Sequence, residues 1–85
     1  MIWTVVWARS AERDLRRLDA SNERRIHAAV GRFAESGQGN VKRLVGRDAE
    51  WRLRVGDWRV IFTIDHRART VQVLRVRHRS AAYDE

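Results

Sequence analysis

The hydrophobic period of the chain changes near its midpoint. The opening stretch, Ile2 to Trp7 (IWTVVW), is a short run of β-branched and aromatic residues and predicts a strand. Ala11, Leu15 and Leu18 then recur at helical spacing behind Ser10, an expected N-cap with Glu12 in the first turn. A second stripe, Ile26, Val30, Phe33 and Ala34, follows a start signal at Ser21-Asn22 and ends at Gly37 and Gly39. The short link around Asp19 to Ser21 predicts an antiparallel helical hairpin.

From Trp51 the period is 2. Trp51, Leu53 and Val55 alternate with Arg52 and Arg54, and Trp58, Val60, Phe62 and Ile64 alternate with Arg59, Ile61 and Thr63. Gly56-Asp57 between them fits a two-residue type II′ turn, whose first position needs a positive φ. A further turn at Asp65 to Arg69 leads to a last strand from Thr70 to about Arg77. The predicted order is β-α-α-β-β-β, with the last three strands an antiparallel meander. The expected fold is therefore a small two-layer α+β domain, an antiparallel sheet with the helical hairpin on one face, formed as a single domain over residues 1–85.

Placing the charges on this frame changes the picture. The net charge is +7, and of the 18 basic residues Lys42 is the sole lysine. Arginine forks two hydrogen bonds onto one phosphate and is always charged, so an anionic partner, above all nucleic acid, is expected. Absence of cysteine excludes disulfides and a thiolate zinc site. His27, His66 and His78 lack ligand spacing, and no glycine-rich phosphate loop or serine triad is present, so neither a metal nor a cofactor is expected. The apolar opening is too short for a signal or membrane span, which makes the cytoplasm the expected compartment.

The turn sets the hairpin register: Val55 opposite Trp58, Arg54 opposite Arg59 and Leu53 opposite Val60, with Arg52 on the face of Arg54 and Arg59. On the last strand, Leu74 and Val76 are expected to face the helices. Val71, Val73, Arg75 and Arg77 are expected on the open side. Like charges directly opposite in a sheet are destabilising by up to ~1 kcal/mol, so such a cluster is best explained by an anion that sits over it. Lys42, Arg47 and Arg79 are further candidates for phosphate contact. His78 and Tyr83 follow the last strand in the run RVRHRSAAY and add groups able to move protons. Together these residues suit metal-free RNA cleavage, which needs a base for the ribose 2′-OH, cations for the charged transition state and an acid for the leaving oxygen. DNA has no 2′-OH and cannot react this way.

The stretch Leu44 to Tyr83 resembles the RelE/ParE toxin superfamily, most of all its RelE branch. The likeness is carried by Arg52-Leu53-Arg54-Val55-Gly56-Asp57-Trp58-Arg59-Val60-Ile61-Phe62, by Val73 to His78 and by Tyr83. It implies a toxin of a type II toxin–antitoxin pair, a metal-free endoribonuclease that cuts messenger RNA in the ribosomal A site. By the same likeness Arg59 matches the arginine on the scissile phosphate, Arg77 a second arginine, Tyr83 the C-terminal tyrosine and Arg54 the basic residue at the hairpin. Arg52 and Glu50 fall where the best-studied branch has lysines. Arginine is a poor base, its pKa exceeding ~12, which leaves the base open among Tyr83, His78 and Glu50, in that order of preference.

The resemblance further implies a cognate antitoxin whose acidic segment covers the arginine face, or whose helix displaces the C-terminal element. The partners would be that antitoxin, the ribosome and messenger RNA, with promoter DNA reached through the antitoxin alone and no membrane. Two other functions belong to the same resemblance: a ParE-like inhibitor of DNA gyrase, and a degenerate binding module without activity. The basic, tyrosine-bearing C-terminus argues against the gyrase-directed branch.

Overall fold

The computed structural model describes residues 2–46 and 49–82. The elements run β1 (Thr4–Trp7), α1 (Arg9–Arg16), α2 (Ala20–Ser36), β2 (Asn40–Arg43), β3 (Glu50–Val55), β4 (Trp58–Asp65), β5 (Thr70–His78) and α3 (Arg79–Ala82). The five strands form one sheet in the order β1-β5-β4-β3-β2. Ala11 and Leu15 of α1 and Ile26, Val30 and Phe33 of α2 pack against Leu53, Val55, Val60, Phe62, Val71, Val73 and Val76 of the sheet. This is the expected two-layer α+β arrangement, with helices on one face.

The β3–β4 hairpin has the register its turn dictates: Val55 pairs with Trp58, Arg54 with Arg59 and Leu53 with Val60. Gly56 has φ 60, the positive value that a type II′ turn requires at this position. Two features extend the expected topology. The short strand β2 pairs antiparallel with β3 at the sheet's edge. Its one apolar residue, Val41, is too little pattern to mark a strand. The strand β1 pairs parallel with β5, so the sheet is mostly rather than wholly antiparallel.

Both helix starts lie earlier than their sequence signals. The N-cap of α1 is Ala8, which makes no side-chain capping bond. Ser10 instead donates through Oγ to the Leu74 carbonyl at 2.6 Å. The N-cap of α2 is Asp19, whose carboxylate accepts the Asn22 N–H at 2.7 Å. Asp19 outcompetes Ser21 because its carboxylate also interacts favourably with the positive end of the helix dipole. Gly37 closes α2 in the left-handed conformation, φ 78, as its sequence position predicts.

The expected phase of β5 is corrected. Val71 and Val73 are buried against the helices rather than placed on the open side. A bulge explains the difference: Phe62 pairs with Val73 and Ile61 with Arg75, so Leu74 has no cross-strand partner. Beyond it the alternation resumes one residue later, with Val76 buried. The helix α1 flanks this bulge. β1 ends at Trp7, opposite Val73, and from there the β5 edge meets α1. Ser10 holds the Leu74 carbonyl, and Asp14 Oδ2 accepts the Val76 N–H at 2.8 Å and Arg75 Nε at 2.8 Å.

Burial alone would raise the pKa of Asp14. Hydrogen bonds from Arg75 and the Val76 N–H, with the charges of Arg75 and Arg17, outweigh it and hold the carboxyl below its ordinary 3.8. Asp14→Ala leaves the buried Val76 N–H unpaired and should lower stability by about 1–3 kcal/mol at neutral pH. Because the folded pKa is depressed, the ionised form's contribution is present above about pH 4 and is lost as pH falls through the folded value. Urea unfolding of both proteins at pH 7 and pH 3 should show a smaller gap at pH 3. An equal gap at both pH values contradicts this account.

Candidate nucleic-acid interface

The sheet face turned away from the helices carries its charge in rows. Asn40, Arg54, Arg59 and Arg77 are successive partners across β2, β3, β4 and β5. Strands lie about 4.8 Å apart, so three arginine Cα atoms are aligned across about 10 Å. The next row is Lys42, Arg52, Ile61 and Arg75, and the one after it contains Glu50, Thr63 and Gln72. Positive charge is therefore concentrated toward the end of the face where the β3–β4 turn lies. Ile61 is 4% exposed although it faces away from the helical core, which fits cover by the methylene stems of the long side chains around it.

The turn itself orients two of these arginines. The Gly56 carbonyl accepts long hydrogen bonds from Arg54 Nε at 3.5 Å and Arg59 Nη1 at 3.4 Å, and Arg59 Nη1 also reaches the Trp58 carbonyl at 3.2 Å. A carbonyl oxygen shared by two cations offsets part of their repulsion. A depression of about 480 Å³ opens beside them, with Lys42, Arg43, Arg52, Arg54, Arg59 and Arg79 on its walls. Leu44 and Val45 supply its apolar side, and among the described residues no carboxylate lines it. A site of this volume, cationic with one apolar wall, has the size and chemistry to take a nucleotide.

The other candidates are distributed around this cluster. Arg77 belongs to the arginine row. Arg75 shares that face by register, but its guanidinium is bound to Asp14 through Nε and Nη2, at 2.8 and 3.3 Å. His78 is brought against Trp58, ring centroids 5.2 Å apart, on the side opposite Arg77. Its Nδ1 accepts the Ser80 N–H at 3.3 Å and lies 3.0 Å from Ser80 Oγ. Glu50 lies on the arginine face, but four positions along β3 from Arg54; at about 3.3 Å per residue its Cα is about 13 Å from the row. Arg79 is anchored at the turn by its N–H on the Asp57 carbonyl, at 2.7 Å, and an exposed ion pair with Asp57 at 3.6 Å. Arg47 and Tyr83 lie outside the described residues.

Arg43 and Asp14 carry no expectation from the sequence, and Ser10 is expected there only as a helix cap. Arg43 lines the depression, with its guanidinium 5.9 Å from the centroid of the Trp51 ring, a cation–π distance. Ser10 and Asp14 organise the β5 bulge. A signal for Asp14 exists in the sequence: it sits between Ala11 and Leu15 on the buried stripe of α1, where an acid needs a partner.

Residues 5–83 match the family described as the ParE toxin of type II toxin-antitoxin system, parDE. The chain belongs to this toxin family. The fold agrees with solved toxins of the RelE group. The RelE–RelB complex from Pyrococcus horikoshii matches at 22% identity and TM-score 0.78, over 96% of this toxin and 100% of that chain. The RelBE2 toxin–antitoxin complex from Mycobacterium tuberculosis matches at 27% identity and TM-score 0.73, over 93% and 100%. An arginine double mutant of Escherichia coli RelE in the free state matches at 18% identity and TM-score 0.78, over 98% and 90%. No curated protein sequence matches the toxin significantly. Among the described residues, no helix of the toxin is long and apolar enough to cross a membrane.

Arginines paired directly across strands should carry a cost. Arg54→Thr removes the central strand pair's like-charge contact with Arg59 and should raise stability by a few tenths of a kcal/mol, up to ~1 kcal/mol. The gain should shrink in high salt, which screens exposed charges. Thermal unfolding at low and high ionic strength checks both; a loss of stability at low salt contradicts the account.

Proposed function

We propose that this toxin is a ribosome-dependent messenger RNA endonuclease that cleaves by attack of a ribose 2′-OH on the adjacent phosphate. The observation that carries this reading is the in-register row Arg54–Arg59–Arg77 beside a cationic depression. Guanidinium groups aligned across three strands can fork onto the phosphate oxygens, and they oppose the extra negative charge that develops as the 2′-oxygen attacks. Arg59, at the centre of the row, is assigned to the scissile phosphate and Arg77 to the developing charge. Arg52 and Lys42 hold the flanking backbone, while Leu44 and Val45 offer a surface to a base.

The arginines do not supply the base. Glu50 is too far along β3 for direct contact with a phosphate held at the row, and His78 packs on Trp58. The assignment of proton transfer therefore goes to Tyr83, which follows α3 in the chain. The RelE–RelB complexes among the matched structures support a cognate antitoxin for this toxin as well. An acidic antitoxin segment laid over the arginine face would neutralise it and block RNA together.

The test is induction of the toxin without antitoxin, followed by 5′-end mapping of messenger RNA. Cleavage within translated frames is expected. Arg59→Ala and Arg77→Ala should each lower it by about 10²–10³-fold, the usual effect of removing a transition-state donor. Tyr83→Phe should slow cleavage while leaving the fold intact. Persistent double-strand DNA breaks with intact messenger RNA would replace this reading with gyrase inhibition. Harmless expression of the wild-type chain would leave a binding module.

A further inference from the structure

We propose that Asp14, together with Ser10, is a positioning group for Arg77: the two side chains hold the β5 bulge that turns Arg77 onto the row with Arg59 and Arg54. This rests on reading that row as the phosphate site.

The argument begins with parity. Val71 and Val73 are buried against the helices, at 1% and 0% exposure. Regular alternation from Val73 would send Arg75 and Arg77 into that same core and Val76 to the open face. One extra residue reverses the phase. With Leu74 left out of the pairing, Val76 is buried and Arg77 pairs with Arg59 on the open face. The placement of Arg77 in the site is thus a consequence of the bulge.

The groups flanking Leu74 are met by α1 and not by another strand. β1 ends at Trp7, opposite Val73. Just beyond, Ser10 Oγ donates to the Leu74 carbonyl and Asp14 Oδ2 accepts the Val76 N–H. Ser10 and Asp14 are four residues apart on a helix, so both project from one face toward the same edge. Asp14 is 9% exposed, too buried for an ordinary surface partner of Arg75. Its hydrogen bond to the backbone N–H ties it to the strand's register and not to charge alone. By the same contacts it draws the Arg75 guanidinium away, which leaves Arg77 as the β5 cation in the arginine row.

The test combines binding with a direct reading of register. Affinity is measured for a 2′-O-methyl RNA trinucleotide, which keeps its phosphates but has no free 2′-OH. Arg77→Ala should weaken binding by about tenfold, the loss of one charge-assisted contact. Asp14→Ala should weaken it to a similar degree, and the double variant should bind no worse than either single one. Asp14→Asn keeps an acceptor for the Val76 N–H and should restore most of the affinity. Ser10→Ala should shift binding in the same direction by less, and serves if Asp14→Ala does not fold. In parallel, Val76 turns its N–H to Asp14 and so its α-proton to Val60, in the same register as Arg59 and Arg77. The NMR cross-strand contact between the Val60 and Val76 α-protons should be lost in Asp14→Ala and kept in Asp14→Asn. Losses that multiply in the double variant, or a Val60–Val76 contact that survives Asp14→Ala, would overturn the proposal. If Arg59→Ala and Arg77→Ala both leave RNA affinity unchanged, the RNA reading of the face fails. The α-proton contact alone then decides the positioning role.

Discussion

A strand offers each side chain one of two faces, and in a sheet packed on helices the apolar residues claim the inner face first. Every charge on this toxin's open face is placed by that prior claim. In β3 and β4 the two demands agree, since Leu53 and Val55 go inward, as do Trp58 and Val60, and the intervening arginines point out. In β5 they conflict. Val71, Val73 and Val76 are all buried, and no regular strand can bury residues of both parities on one face. The bulge at Leu74 resolves the conflict, and the fold can hold it because β1 stops and α1 begins at that point along the edge. The helix is more than a cover for the core. Through Ser10 and Asp14 it supplies the hydrogen bonds that a longer edge strand would have made.

The same conflict explains how the face tolerates its own charge. Placing Arg54, Arg59 and Arg77 side by side opposes folding. The structure limits the damage locally: the Gly56 carbonyl is shared by Arg54 and Arg59, and Asp14 binds Arg75. The exposed pair of Arg79 with Asp57 contributes little, since surface ion pairs are worth about 0–1 kcal/mol. Relief therefore reaches the arginine row itself, through the turn carbonyl that Arg54 and Arg59 share. Among the described residues, the lining of the depression beside it is basic and apolar.

The parts of this design legible in the sequence are the local ones. The Gly56-Asp57 turn and the alternation on either side of it determine the hairpin register from neighbouring residues, so the Arg54–Arg59 pair could be read directly. Gly37 likewise announces the end of α2. What could not be read depends on partners distant in the chain. The β2 strand owes its existence to β3 and has one apolar residue of its own. Ser10 has the chemistry of a helix cap, yet it spends its hydroxyl on Leu74, sixty-four residues away. The phase of β5 beyond Val73 is a property of α1 and β5 together; alternation within TVQVLRVRH alone puts its valines on both faces. The site therefore reads from sequence as a set of arginines on an open face, while which of them join the row is decided by tertiary contacts.

On the proposed reading, this architecture separates two tasks that lysine could combine. A lysine can lower its pKa when desolvated and exchange a proton; an arginine, with a pKa above ~12, remains a cation throughout. The row Arg54–Arg59–Arg77 is suited to hold phosphate and to stabilise charge at a fixed geometry, which is worth about 2.7–4 kcal/mol per well-placed donor. Proton transfer must then come from outside the row. Glu50 is about 13 Å along the strand from Arg54, and His78 is engaged with Trp58 and Ser80 on the other side. Tyr83 then remains, which follows α3 in the chain. The helix α3 itself starts at the arginine end of the sheet, where the Arg79 N–H bonds the Asp57 carbonyl. An antitoxin that displaced it would remove the proton-transfer group while leaving the cationic clamp folded, so inhibition need not unfold the sheet or neutralise every arginine.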